Sequence, residues 1–303
     1  MDTKTARRRL PGWAKMAILL MVLLAAGLWL ITGLLADLAT RVPPTSRPSF
    51  QPGLLHIDAE RVRFRSLDGL SLVAWWMDAP GNGKPVVVIL HGFGASKEHM
   101  LNYLLLAHQA GCPALAIDFR GHGESDPSLT SLGYHEQKDA AAAVAWVRQR
   151  RPGSPVVLWG TSMGAVTALH TAAHHPEGIS GVIADAPFDS LHHTMVRHAD
   201  LFFGLPEFPL LTLTEPRIEA RAGFRIRDVD TVEALKLVRV PVLFIAGEND
   251  VRMPVALVRS LHDGYRGPKA WYVIPGTGHE YRPFEKEFQE IVTGFLLRPP
   301  ADP

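Results

Sequence analysis

The sequence predicts an α/β fold: a doubly wound, mostly parallel sheet with a small helical cap insertion, preceded by one N-terminal transmembrane helix. Three observations predict it. Short apolar runs alternate with helix-length segments along most of the chain. An uncharged stretch from Met16 to Leu35 stands near the N-terminus. One interval, about 188–228, breaks the alternation without supplying a clear strand-helix unit.

The apolar stretch reads MAILLMVLLAAGLWLITGLL, twenty residues without a charge, and at 1.5 Å per residue it spans about 30 Å, the thickness of a bilayer hydrocarbon core. Lys4, Arg7, Arg8, Arg9 and Lys15 precede it, and only Arg41 and Arg47 follow closely. That asymmetry predicts a cytoplasmic basic tail over 1–15, an anchor over 16–35 and the rest of the chain exported, on the periplasmic or extracellular face. A cleaved signal is the competing reading. Its apolar region would be shorter, and Asp37-Leu38-Ala39 puts a charge where cleavage wants a small residue. Residues 36–56 hold several prolines and little periodicity, the composition of a stiff linker.

The domain proper is predicted over 57–298. ERVRFRS and LSLVAWWM read as antiparallel strands joined around Asp68-Gly69, with one of Trp75 and Trp76 facing inward and the other outward. PVVVIL (85–90), PALAID (113–118), PVVLW (155–159), GVIAD (181–185), PVLFIA (241–246) and AWYVI (270–274) follow. Runs rich in Val, Ile and Leu, bounded by Gly and Pro, read as strands buried on both faces of a parallel sheet. Helices are predicted between them, at about 97–110, 132–150, 163–175, 230–237, 254–263 and 283–296. The 188–228 interval contains LFFGLPEFPLLTL, an apolar segment suited to capping a site.

Composition narrows the function. The chain has 303 residues, is 47% hydrophobic and carries a formal charge of +1, with no dense basic stripe beyond the first fifteen residues, so nucleic acid is not an expected partner. The single cysteine, Cys112, excludes an internal disulfide and a cysteine-based zinc site, and reads as a buried small hydrophobe.

Chemistry enters at Gly160-Thr161-Ser162-Met163-Gly164, a G-x-S-x-G pattern with a predicted strand before it and a helix after it. In that setting the serine sits in a strained turn and Gly160 and Gly164 permit close backbone approach. A serine hydroxyl needs a base to take its proton. His279, in Gly276-Thr277-Gly278-His279-Glu280, follows the last predicted strand, and the carboxyl ends of parallel strands are where such sheets assemble sites. Asp250, in Gly247-Glu248-Asn249-Asp250, follows another strand and suits the residue that orients the imidazole, with Glu248 its nearest competitor. Asp185 ends a strand too early in the chain for that role and reads as structural. The backbone N–H groups of Met163 and Phe93 are the candidate oxyanion donors, the latter in the loop His91-Gly92-Phe93-Gly94. His91 reads as a fastener of that loop rather than a metal ligand. His170 and His174 share a helix face but lack an acidic partner in a metal-binding arrangement, so they read as a surface face. His192, His193 and His198 read as solvated or substrate-rim residues of the cap.

With Asp118-Phe119-Arg120-Gly121-His122-Gly123-Glu124-Ser125, a D-x-R-G-x-G-x-S loop, these motifs stand in an order that resembles the α/β-hydrolase superfamily over residues 60–297. DAPFDSL (185–191) is similar to a segment of its single-pass, Bem-like and monoacylglycerol-lipase-like branches. The resemblance implies cleavage of ester or thioester bonds in lipidic substrates through a Ser-His-Asp triad and an acyl-enzyme. It needs no metal or organic cofactor. A serine-aminopeptidase-type enzyme is the alternative within catalysis. It would need an acidic group, such as Glu207, Glu215 or Glu219, to receive a substrate ammonium. A catalytically silent membrane-tethered binding module is the alternative outside it.

Overall fold

The computed structural model describes residues 10–42, 58–80, 83–279 and 285–300. Its centre is one eight-stranded sheet in the order β1-β2-β4-β3-β5-β6-β7-β8. β1 (Glu60–Arg65) and β2 (Ser71–Met77) form the expected hairpin, and β2 pairs antiparallel with β4 (Ala114–Ile117). The remaining pairs, from β4 through β3 (Val86–Leu90), β5 (Val156–Thr161), β6 (Ile179–Asp185), β7 (Val242–Gly247) and β8 (Lys269–Ile274), are all parallel. Every residue of β3, β4 and β7 is buried, which is why these strands read as unbroken apolar runs rather than alternating ones.

Helices cover both faces. After the N-terminal helix α1 (Gly12–Thr40) come α2 (Leu101–Gln109), α3 (Glu136–Arg150) and α4 (Met163–His174). α5 (Leu191–Phe203) and α6 (Thr212–Ala222) form the cap, and α7 (Thr231–Leu235), α8 (Val255–Gly264) and α9 (Lys286–Leu297) complete the set. Covering both faces corrects one expectation. Trp75 and Trp76 point to opposite sides of β2, yet both are buried, because Trp75 joins the core beneath α2 and α9 while Trp76 packs edge-on against Trp146 of α3.

A second correction concerns the N-terminus. α1 continues to Thr40, so Ala36 to Thr40, assigned by composition to the linker, are helical, and Ala36 is part of the α/β domain's core. The prolines of that segment begin only at Pro43. Most of the linker expected over 36–56 lies outside the described residues. α1 is the one helix among the described residues long and apolar enough to cross a membrane.

The D-x-R-G-x-G-x-S loop after β4 is a buried electrostatic brace. The Lys97 ammonium, fully buried and 5.2 Å from the Trp75 ring centre, lies 2.7 Å from Asp118, 2.8 Å from Glu98 and 2.9 Å from Glu124. These three carboxylates are thus gathered around one cation. Arg120 spans Asp139 at 2.7 Å and Asp68 at 2.9 Å, tying the loop to α3 and to the β1–β2 turn. Gly123 has φ +52° and a Cβ there would lie 2.2 Å from the Asp118 carboxyl, so the loop can fold over its aspartate only with glycine.

Candidate active site

The strand order reverses between β3 and β5, with β4 on the far side of β3, and the crevice beyond the carboxyl ends of such strands is where open α/β sheets bind ligands. Four loops meet there: those after β3, β5, β7 and β8.

Ser162 follows β5 with φ 53° and ψ −119°, a backbone conformation that L-residues rarely adopt. It is pinned on both sides. Its N–H donates to the Asp185 carbonyl at 2.8 Å, and its own carbonyl accepts from Ala165 and Val166 at 2.9 and 3.1 Å. The turn is as tight as its glycines predict: a Cβ on Gly160 would meet the Gly164 carbonyl at 2.1 Å, and one on Gly164 would meet the Leu90 carbonyl at 2.1 Å. Asp185 therefore acts here through its backbone, in keeping with a structural reading.

The structure brings Ser162, His279 and Asp250 together across long stretches of chain. His279 Nε2 lies 3.1 Å from Ser162 Oγ, and His279 Nδ1 lies 2.8 Å from Asp250 Oδ2. Asp250 is 3% exposed, and its other oxygen accepts the backbone N–H groups of Arg252 at 3.0 Å and Met253 at 2.9 Å. The loops that carry the pair are stitched together by Asn249 N–H to the Thr277 carbonyl at 2.8 Å, with Thr277 Oγ1 donating to Ile274 at 2.8 Å. Glu248, the competitor for the acid position, instead accepts the Gly276 N–H at 2.7 Å.

Phe93 and Met163 line the same cavity as Ser162. Met163 opens α4, so its N–H is among the first-turn donors that no carbonyl within the helix can satisfy, and the helix dipole favours negative charge there. The loop after β3 approaches closely because Gly92 has no side chain; a Cβ would touch Ser162 Cβ at 3.4 Å. Two histidines hold that loop. His91 Nε2 accepts the Phe119 N–H at 3.0 Å, which leaves Nδ1 to donate to the Gly92 carbonyl at 2.7 Å. Burial, helped by the neighbouring His122 and only partly opposed by the hydrogen bond to Gly92, holds the His91 pKa well below the usual imidazole value and so keeps the ring neutral. His122 donates from Nδ1 to the Arg120 carbonyl at 2.9 Å and accepts the Gly94 N–H at 3.2 Å. That second fastener was not evident from the sequence, although His122 lies inside the loop motif; only the fold brings it under Gly94.

The cavity measures about 310 Å³. Its walls are almost wholly apolar and include Phe188, Leu191, Met195, Phe202, Leu211 and Met253 from the cap and the β7–α8 loop. His198 is the one titratable group in that wall, among the described residues, and its Nε2 has no hydrogen-bond partner there. Burial, and then the charges of Arg252, His279 and Arg197, lower its pKa to about 4. Of the other cap histidines, His192 contacts Glu215 at 2.6 Å and His193 contacts Asp189 at 2.9 Å, both outside the cavity. His170, read as a surface residue, is instead 1% exposed in the core. Leu35, Leu38 and Ala39 of α1 also line the cavity, which the sequence did not signal, because they fall across the end of the apolar run and the start of the expected linker.

A serine at a strand-to-helix elbow of a parallel sheet, facing loops from the carboxyl ends of three other strands, defines the α/β-hydrolase class. The family model for the alpha/beta hydrolase fold matches residues 85–208, from β3 into the cap. The uncharacterized protein YqkD of Bacillus subtilis is 31% identical over 222 residues, covering 72% of this chain and 73% of that protein. The chain belongs to the α/β-hydrolase family. It is similar to the lysophosphatidylserine lipase ABHD12 of Rattus norvegicus, at 23% identity over 71% of this chain and 51% of that one. Among solved structures, the esterase Pf2001 of Pyrococcus furiosus superposes with a TM-score of 0.71 at 26% identity, over 86% of this chain and 99% of that one.

Proposed function

We propose that this protein is a membrane-anchored serine hydrolase that cleaves carboxylic esters of lipidic acyl groups through an acyl-enzyme. The observation that carries the reading is the continuous hydrogen-bonded line Asp250–His279–Ser162, which ends in an apolar cavity. Ser162 Oγ attacks the acyl carbonyl carbon and its proton passes to His279 Nε2. Asp250 holds the Nδ1–H and offsets the imidazolium charge. The amides of Met163 and Phe93 receive the oxyanion. Collapse breaks the bond to the leaving alcohol, which takes the proton from His279. Water, deprotonated by the same imidazole, then releases the carboxylic acid and restores Ser162. α1 holds the enzyme on the membrane, with its basic N-terminus cytoplasmic and the catalytic domain on the exported face.

The cap supports an ester rather than an aminopeptidase reading. Glu215 and Glu207 flank His192, at 2.6 and 3.7 Å, and Glu219 accepts the Ile226 N–H at 3.0 Å. No carboxylate lines the cavity among the described residues, so none waits there for a substrate ammonium.

The test is covalent labelling with a fluorophosphonate, followed by turnover of p-nitrophenyl acyl esters and of aminoacyl anilides. Wild-type protein is expected to label, Ser162→Ala to lose the label, and ester turnover to fall by about 10⁴–10⁶-fold in that variant. An unlabelled wild type would sink the enzymatic reading and favour a binding module. Turnover of anilides alone would move the substrate class to peptides.

A further inference from the structure

α1 changes character near Ile31. Up to that point its apolar side chains face outward, with Trp13 76%, Leu24 64% and Trp29 68% exposed. From there Thr32, Ala36 and Thr40, four residues apart and so on one face, are at most 2% exposed. This face packs on α6 of the cap and is clamped along its length. Arg217 of α6 donates to the Trp29 carbonyl and, at 2.8 Å, to Thr32 Oγ1, with its guanidinium 4.5 Å from the Trp29 ring centre. Gly33 makes room for that guanidinium; a Cβ there would lie 3.3 Å from it. One turn along α6, Arg221 pairs with Asp37. At the helix end, the Thr130 N–H donates to the Thr40 carbonyl at 3.0 Å. Between these fixings, Leu35, Leu38 and Ala39 face the cavity that contains Ser162.

We propose that the last turns of α1, Thr32 to Thr40, are a fixed wall of the acyl pocket, placed so that the pocket takes the chain of a bilayer-resident long-chain ester directly from the exported leaflet. This deepens the proposed function and rests on Ser162 being the acyl-transfer nucleophile. The geometry follows from helix length. The outward-facing, uncharged part, Met16 to Ile31, covers roughly 24 Å, most of the hydrocarbon layer. Leu35 to Ala39 then begin about 6 Å further on, where that layer meets the headgroups. The cap presents a matching apolar rim at this level: Phe202, Phe203, Phe208 and Leu213 are 48%, 61%, 76% and 45% exposed, and the first two also line the cavity. Exposed Phe and Leu side chains of this kind bury into the boundary between headgroups and acyl chains. A chain leaving the leaflet between α1 and this rim therefore meets apolar side chains until its carbonyl reaches Ser162.

The test separates the wall from the chemistry. Full-length Ser162→Ala protein is placed in phosphatidylcholine vesicles containing a monoacylglycerol with a diazirine in its acyl chain, irradiated, and the adducts mapped by mass spectrometry. Adducts are expected on Leu35 to Ala39 as well as on the cap, and the Arg217→Ala, Arg221→Ala pair should lower their yield there relative to Gly12–Ile31. Adducts confined to Gly12–Ile31 would overturn the proposal, because they would report only ordinary lipid contact. In the active protein, Leu35→Trp should lower turnover of long-chain relative to short-chain p-nitrophenyl esters about tenfold, the loss of burial for some two methylene groups. An unchanged chain-length profile would also overturn it. A wild type that cleaves no ester would instead remove the proposed function, while the adduct map would still judge the wall.

Discussion

Ser162, the proposed nucleophile, sits on a strained backbone. Its φ of 53° and ψ of −119° cost an L-residue about 1–3 kcal/mol, and the Asp185 carbonyl, the Leu90 carbonyl beneath Gly164 and the start of α4 hold it there. Two substitutions that both remove the hydroxyl should therefore differ. Ser162→Gly relieves the strain but gains unfolded-chain entropy, whereas Ser162→Ala keeps the Cβ and the strain. The glycine variant is expected to be more stable by about 1 kcal/mol in urea denaturation. An alanine variant at least as stable as the glycine one would show that the elbow stores no strain. The same scale shows how far residue types in order can locate a site. Ser162, Asp250 and His279 were legible because each follows a strand at its carboxyl end. The choice between Asp250 and Glu248, two positions apart, needed the fold, which turns one carboxylate to His279 and the other to the Gly276 amide.

At the scale of elements, strands were the most legible part of the chain, because β-branched runs buried on both faces admit no polar alternation. Helix faces were harder to read. α4 is buried from Met163 to Ala172, since it packs between the sheet, α3 and α7, so of the histidine pair at i and i+4 that suggested a surface stripe, His174 is exposed but His170 lies inside. Both ring nitrogens of His170 lack a hydrogen-bond partner. Burial, with the His174 charge adding to it, lowers the His170 pKa from 6.5 to about 3. The sign follows from linkage: between these values the unfolded chain binds a proton that the folded chain refuses, so stability rises with pH. His198 on α5, lowered to about 4, acts in the same direction. Stability should thus fall as the pH drops from about 6.5 towards 4, and His170→Phe should flatten that fall by up to about 1.4 kcal/mol per pH unit. Melting temperatures measured across this window would check it. An identical slope in the variant would mean that His170 is solvated or protonated in the native state.

At the scale of the whole molecule, the last turns of α1 pack into the α/β domain rather than standing apart from it as a bare anchor would. Composition concealed this, because hydropathy sees the apolar run and the prolines but not the small-residue face, Thr32, Ala36 and Thr40, that docks on α6. Ala36 shares a core cluster with β-sheet and cap residues, and Ile218 of α6, which is fully buried, belongs to the same cluster. Removing the membrane-facing turns and removing the docked turns should therefore have different consequences. A chain that begins at Leu28 keeps the Arg217 clamp on Trp29 and Thr32 and the pairing of Arg221 with Asp37. It should stay folded while losing most of the apolar surface that holds it to vesicles. A chain that begins at Val42 loses the buried Thr32, Ala36 and Thr40, uncovers Ile218 and opens one wall of the cavity. Re-exposing a few apolar side chains costs on the order of 2–4 kcal/mol, which for a domain of this size lowers the melting temperature by roughly 5–10 °C. Thermal unfolding of the two truncated proteins in the same detergent would distinguish the cases. Equal melting temperatures would mean that the docked turns contribute no stability, and that the cap holds its shape without the helix resting on it.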